Sequence, residues 1–124
     1  MRILLDTNAL IRVRQGWSGF HPTTKGLLAD LSNTVLVSSI SAMEISVKVS
    51  IGKLAPLPQG LTKTMTAMHW TELPFAVRHA EFMLNLPWHH KDPFDRMIIA
   101  QALVEDLPVV TSDRRFSEYG VEVL

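Results

Sequence analysis

Apolar residues fall in short unbroken runs along this chain, and each run stops at a polar or acidic residue. Arg2–Leu5 stops at Asp6, Thr34–Val37 at Ser38 and Ser39, and Leu107–Val110 at Thr111, Ser112 and Asp113. Trp70–Leu73 and Val121–Leu124 are weaker runs of the same kind. Apolar runs without alternation suit strands covered on both faces, the condition of a parallel sheet. Between them the spacing turns helical. Leu27, Leu28 and Leu31 predict one helix, and Ala42–Leu54 a second, with Ile45, Val49 and Ile51 near one face and Pro56 and Pro58 as the stop. Thr62–Met68 and Phe75–Leu86 predict two more, the latter ending before Pro87. Phe94–Val104 is the most regular, carrying Ile98, Ile99, Ala102 and Leu103. Strands and helices in alternation predict an α/β fold, one domain over residues 1–124, around a mainly parallel sheet of about five strands.

Composition narrows the chemistry more than the fold. A chain of 124 residues that is 47% hydrophobic and 19% charged can fill a core, which argues against disorder. The absence of cysteine excludes disulfides and thiolate metal sites. No apolar stretch approaches the roughly 18 residues of a membrane span. The first run, Ile3–Leu5, is cut by Asp6 before it resembles a signal peptide. The expectation is a cytoplasmic protein with no membrane partner. Twelve Lys and Arg balance twelve Asp and Glu, so a polyanion would have to be held by local cations or by bound metal.

Each acid at an element junction has an ordinary explanation. Asp6 can cap the segment after it. Ser41 and Glu44 have the S-x-x-E spacing of a capping box for the Ala42–Leu54 helix. Asp92 fits an N-cap, Pro93 the first helical position and Asp95 the first turn, facing the helix dipole. Asp113 fits a cap or turn before Arg114, Arg115 and Phe116. Taken together these explanations leave a surplus. Asp95 shares a helix face with Ile98 and Ile99, so it sits at the apolar edge. In a parallel sheet the strand carboxyl ends and the starts of the following helices share one edge, where ligands bind. Asp6, Glu44, Asp95 and Asp113 would therefore converge. Like charges so placed raise one another's pKa, and a cation removes the penalty. An all-oxygen set without cysteine points to Mg²⁺ or Mn²⁺.

The segments LLDTNAL, SSISAMEISVKVSIGKL, HHKDPFDRMIIAQAL and LPVVTSDRRFSEYGVEV, in that order, resemble a PIN domain, in particular the VapC-type toxins of bacterial toxin–antitoxin pairs. The resemblance runs along the chain and is weakest over Gly16–Asp30. It implies a three-layer α/β/α fold and a Mg²⁺- or Mn²⁺-dependent endoribonuclease that cuts single-stranded or loop RNA. It also implies a cognate antitoxin, and homodimers or toxin–antitoxin hetero-oligomers. The family's acidic constellation falls on Asp6, Glu44, Asp95 and Asp113 as metal-binding and catalytic residues, with Asp92 supporting them. Asn8 stands where many relatives of this subgroup carry His. Thr7, Asn8 and Ser112 are candidates to orient the acids or a water, with turn geometry as their alternative role. His89, His90, Lys91 and Arg96 beside Asp95, and Arg114 and Arg115 beside Asp113, are candidates to hold phosphates, or else a solvated face. His89 and His90 as a ligand pair are disfavoured, since adjacent residues point opposite ways. His79 reads as a packing or surface residue, and Trp88 and Met97 as core or interface filler. Two rivals remain. One is a phosphatase of the haloacid dehalogenase type, or a receiver domain. The other is a non-catalytic module that binds metal or RNA.

Overall fold

The computed structural model describes residues 1–124. Its strands are β1 (Arg2–Leu5), β2 (Thr34–Ser38), β3 (Thr71–Leu73) and β4 (Val109–Val110), all parallel, in the order β3-β2-β1-β4. The helices are α1 (Thr7–Arg14), α2 (Pro22–Ala29), α3 (Ser39–Ser50), α4 (Leu61–Met68), α5 (Val77–Phe82) and α6 (Pro93–Glu105). Short 3₁₀ helices cover Met83–Asn85 and Arg114–Tyr119. No helix is long and apolar enough to cross a membrane.

The apolar runs become strands because both faces of the sheet are covered. Successive side chains of a strand point to opposite faces, and β1 shows it. Leu4 joins a core with Leu36, Ile98, Ile99, Val109 and Phe116, under α5 and α6. Ile3 and Leu5 join a second core with Leu10, Val13, Leu28, Val35, Val37 and Val110, under α1 and α2. α3 contributes to both, Ile40 to the first and Ile45 to the second. The result is the expected three-layer α/β/α arrangement.

The sheet has four strands where about five were expected. Val121–Leu124 runs alongside β4 but makes only one isolated parallel bridge, Val109↔Val123. β4 is itself two residues long, so there is no edge on which a fifth ladder can form. α1 has no counterpart among the predicted elements. α3 begins at Ser39, with Ser38 Oγ accepting the Ile40 N–H at 3.0 Å. Ser41 and Glu44 therefore lie inside the helix, and the predicted capping box does not form. α3 also ends earlier than the spacing suggested, at Ser50, two residues before Gly52 at φ +75°. Leu31 falls outside α2 and is exposed.

Candidate active site

The chain steps outward from β1 to β2 to β3, then returns to lay β4 on the other side of β1. At such a reversal a crevice opens beyond the strand carboxyl ends. Asp6 follows β1 there, and Thr111, Ser112 and Asp113 follow β4.

Asp6 is both a helix cap and an inward-facing acid. Its Oδ1 accepts the Ala9 N–H at 2.7 Å, capping α1, and its Oδ2 accepts the Thr111 hydroxyl at 2.5 Å. The residue is only 2% exposed. Burial raises its pKa, the Thr111 and Ala9 hydrogen bonds oppose that rise, the Asp113 charge adds to it and the Arg12 charge opposes it. Thr111 is a hinge between two acids, because its hydroxyl also accepts the Asp113 N–H at 2.9 Å.

Asp113 caps the 3₁₀ helix through the Arg115 N–H and is gripped by the Arg115 guanidinium at 3.1 and 3.2 Å. Partial burial pushes its pKa up, but the hydrogen bonds from Arg115 and His90 outweigh burial, and the net shift is downward. Asp95 is the opposite case. Burial, together with the charges of Asp92, Asp6 and Glu44, pushes its carboxyl up to about 7, against the pull of His90. Its helix α6 is capped as expected, with Asp92 Oδ1 accepting the Phe94 and Asp95 N–H groups and Pro93 at the first position.

Glu44 reaches the crevice from α3. It is 6% exposed, its Oε2 takes Lys48 Nζ at 2.8 Å, and its Oε1 is buried with no hydrogen-bond partner. The four predicted acids thus act on one another electrostatically at one edge of the sheet. The tightest grouping, however, is Asp95 and Asp113 with His90, whose side-chain ligand atoms lie within 4.8 Å of one another.

His90 is the residue the sequence placed least well. The adjacent histidines do diverge: His89 packs edge-on against Tyr119, while His90 is buried and enters the acids. Its Nε2 lies 2.8 Å from Asp113 Oδ2 and 3.1 Å from Asp95 Oδ2. Its Nδ1 accepts the Asp92 N–H at 3.1 Å. With Nδ1 accepting, the ring proton sits on Nε2. In this tautomer His90 is a donor bridging two carboxylates.

The other expected residues divide. Thr7 is buried and donates its hydroxyl to Ser41 Oγ at 3.0 Å, tying α1 to α3 behind Asp6. Asn8 and Ser112 are exposed and make no side-chain hydrogen bond, so neither orients an acid here. Arg96 is not positioned to hold phosphate. It is 5% exposed, donates to the carbonyls of Pro87, Leu86 and His90, and lies 3.9 Å from the centroid of the Trp88 ring. Arg115 is committed to Asp113, whereas Lys91 and Arg114 are exposed and unpaired. Thr111 is not among the residues the sequence singles out; its signal is a hydroxyl one residue past a buried strand and two before Asp113.

The carboxylates suit a hard divalent ion. Glu44 presents an unpartnered buried oxygen, and Asp95 resists ionisation first because it is buried and then because Asp92, Asp6 and Glu44 place negative charge around it. Both conditions are relieved by a cation, and oxygen ligands favour Mg²⁺ or Mn²⁺.

Comparison with known proteins agrees with this architecture. The family model described as the PIN domain matches residues 3–122. No curated protein matches the chain. Among solved structures, a VapBC complex of Rickettsia felis bound to promoter DNA superposes with a TM-score of 0.75 at 19% identity, covering 100% of this chain and 98% of that one. DNA-bound VapBC from Salmonella typhimurium gives 0.73 at 20%, covering 100% and 97%. FitAcB from Neisseria gonorrhoeae gives 0.67 at 22%, covering 98% and 96%. At these identities the likeness establishes the fold.

Proposed function

Since the chain belongs to the PIN domain family, we propose that it is a Mg²⁺- or Mn²⁺-dependent endoribonuclease, the VapC-type toxin of a toxin–antitoxin pair. The observation that carries this reading is the set of acids at the β1/β4 reversal, one of which, Asp95, has its pKa raised to about 7 by burial and by the neighbouring acids. Asp6, Asp95 and Asp113, with Glu44, would hold the ion. The chemistry supplied by a bound divalent ion is positive charge against the phosphoryl oxygens and acidification of a water.

The protein's own part is positional. The Ala9 N–H and the Thr111 hydroxyl fix both oxygens of Asp6. Thr111 passes the same order to the Asp113 backbone. His90 donates to Asp95 and Asp113 and keeps their Oδ2 atoms turned toward each other. Buried acids oriented before the substrate arrives need no reorganisation during the reaction. A haloacid dehalogenase-type phosphatase fits less well, because the second acid such an enzyme needs two residues on is replaced by Asn8, exposed on α1.

The superposed VapBC and FitAcB structures support a cognate antitoxin as partner. Homodimers or toxin–antitoxin hetero-oligomers in the cytoplasm complete the reading. The test is cleavage of a panel of structured RNAs by the purified chain in Mg²⁺ or Mn²⁺. Chelator should stop cleavage, and Asp95→Asn should lower the rate by on the order of 100-fold or more. Cleavage that survives both chelator and Asp95→Asn would sink the proposal.

A further inference from the structure

Beside Asp6, on the α1 side of the crevice, lies a cavity of about 160 Å³. Small-molecule sites begin near roughly 300 Å³, so this cavity suits a single group rather than a whole nucleotide. Its polar side chains are those of Arg12, His21, Thr24, Thr111 and Ser112, none of them acidic, and Leu124, the last residue of the sequence, also lines it. The donors outnumber the acceptors. Arg12 forms neither a hydrogen bond nor an ion pair through its side chain, although five N–H groups are on offer. The Thr24 and Ser112 hydroxyls have no protein partner. His21 Nδ1 accepts the Thr23 N–H at 3.2 Å, which puts the ring proton on Nε2 and leaves another donor free.

A basic residue in the last turn of a helix is favoured by the macrodipole, and that accounts for Arg12 alone. It does not account for the gathering of Arg12 with the solvent-accessible donors of His21, Thr24 and Ser112 around one cavity. The cavity also touches the acidic site. Ala9 and Thr111 line it, and these are the two residues that hold Asp6. The Arg12 charge reaches Asp6, where it opposes the rise in pKa.

We propose that this cavity is an anion subsite for one backbone phosphate of the nucleic-acid strand, next along from the phosphate at the acids. The proposal rests on the nuclease reading for the identity of the strand. It gives a chain of zero net charge a local cation that makes no direct ion pair. Arg12 supplies the charge, and the hydroxyls and His21 fix the position without reading sequence.

The test uses the full-length chain in chelator, where cleavage is stopped. Inorganic phosphate is titrated while the Arg12 Nε and the Thr24 and Ser112 amide signals are followed by ¹⁵N NMR. A single-stranded RNA is then titrated, and its affinity is measured against salt. Phosphate should move those signals saturably, and the RNA should move the same ones. Arg12→Gln should flatten the salt slope by about 0.7, the value of one single-strand phosphate contact. Thr24→Val, nearly isosteric, should weaken phosphate binding while leaving the fold intact. Lys25→Gln, the same charge change on α2 outside the cavity, should leave the slope unchanged. Non-saturable shifts, or phosphate shifts spread evenly over all basic side chains, would overturn the subsite. So would RNA binding with no Arg12 component, which would make this a site for free anions. Cleavage indifferent to Arg12 would defeat the subsite and spare the nuclease. Arg12-dependent RNA binding by a chain that never cleaves would do the reverse.

Discussion

The acids at the β1/β4 reversal carry two roles on single side chains, and that is why they were only partly legible in the sequence. Asp6, Asp92 and Asp113 are helix caps, as their positions suggested, yet Asp6 and Asp113 also face the crevice. Capping satisfies backbone N–H groups with one oxygen and leaves the other for the site. Glu44 misled in the opposite sense: its S-x-x-E spacing is accidental, and its position inside α3 is what points it inward. Asp95 has a measurable consequence. Its folded carboxyl has a pKa of about 7 against an ordinary value of 3.8. Between those values the metal-free folded state holds a proton that the unfolded state has lost. Stability therefore falls as pH rises through this window. The raised Asp6 acts in the same direction, whereas the depressed Asp113 loses its contribution only under more acid conditions. Differential scanning fluorimetry in chelator should give a higher Tm near about pH 5 than near about pH 7.5. Asp95→Asn should remove most of that difference. A wild-type Tm that climbs steadily to pH 7.5 would show that burial and the neighbouring acids do not raise the Asp95 pKa.

At the level of elements, every helix but α1 followed from apolar spacing, but the segment that delivers His90 did not. Leu86–Lys91 has no regular structure, and Arg96 organises it from the first turns of α6. The guanidinium donates to Pro87 O at 2.8 Å and, at longer range, to Leu86 O, His90 O and the Tyr119 hydroxyl, while Trp88 covers its face. Tyr119 adds its own bond to Pro87 O at 2.7 Å and accepts the His90 N–H at 2.8 Å. The D-P-F-D-R string reads as a catalytic motif, but the sequence cannot distinguish an arginine aimed at substrate from one spent on carbonyls. Only the fold of the preceding loop settles that. Arg96→Met keeps the stem and the stack on Trp88 but leaves buried carbonyls without donors. It should cost about 2–4 kcal/mol, read from the urea midpoint. A change within about 0.5 kcal/mol, the range of an ordinary surface substitution, would return Arg96 to the list of free cations.

Across the whole molecule, the site is a consequence of strand order. The apolar runs identify strands, but no run says that β4 lies beside β1 rather than beyond β3. The fifth run, Val121–Leu124, shows how little a run guarantees, since it found only a two-residue neighbour. Once β4 is on that side, Asp6 from the start of the chain and Asp113 from its end close on Asp95 and Glu44 from two helices. These four side chains come together only when the sheet, α3 and α6 are all in place, so the unfolded chain has no equivalent site. A divalent ion that binds there stabilises the global fold by mass action, about 2.7 kcal/mol at a hundredfold excess over its Kd. For a chain of this length that is a rise in Tm on the order of 10 °C. Mn²⁺ titration followed by thermal denaturation at neutral pH should show a rise that grows with the logarithm of concentration and has no sharp ceiling. Asp95→Asn should start from a higher metal-free Tm and gain little. The two curves should therefore converge as the ion is added, because crowding of the acids and affinity for the cation have one cause. Parallel curves would separate those properties and place the ion on other residues.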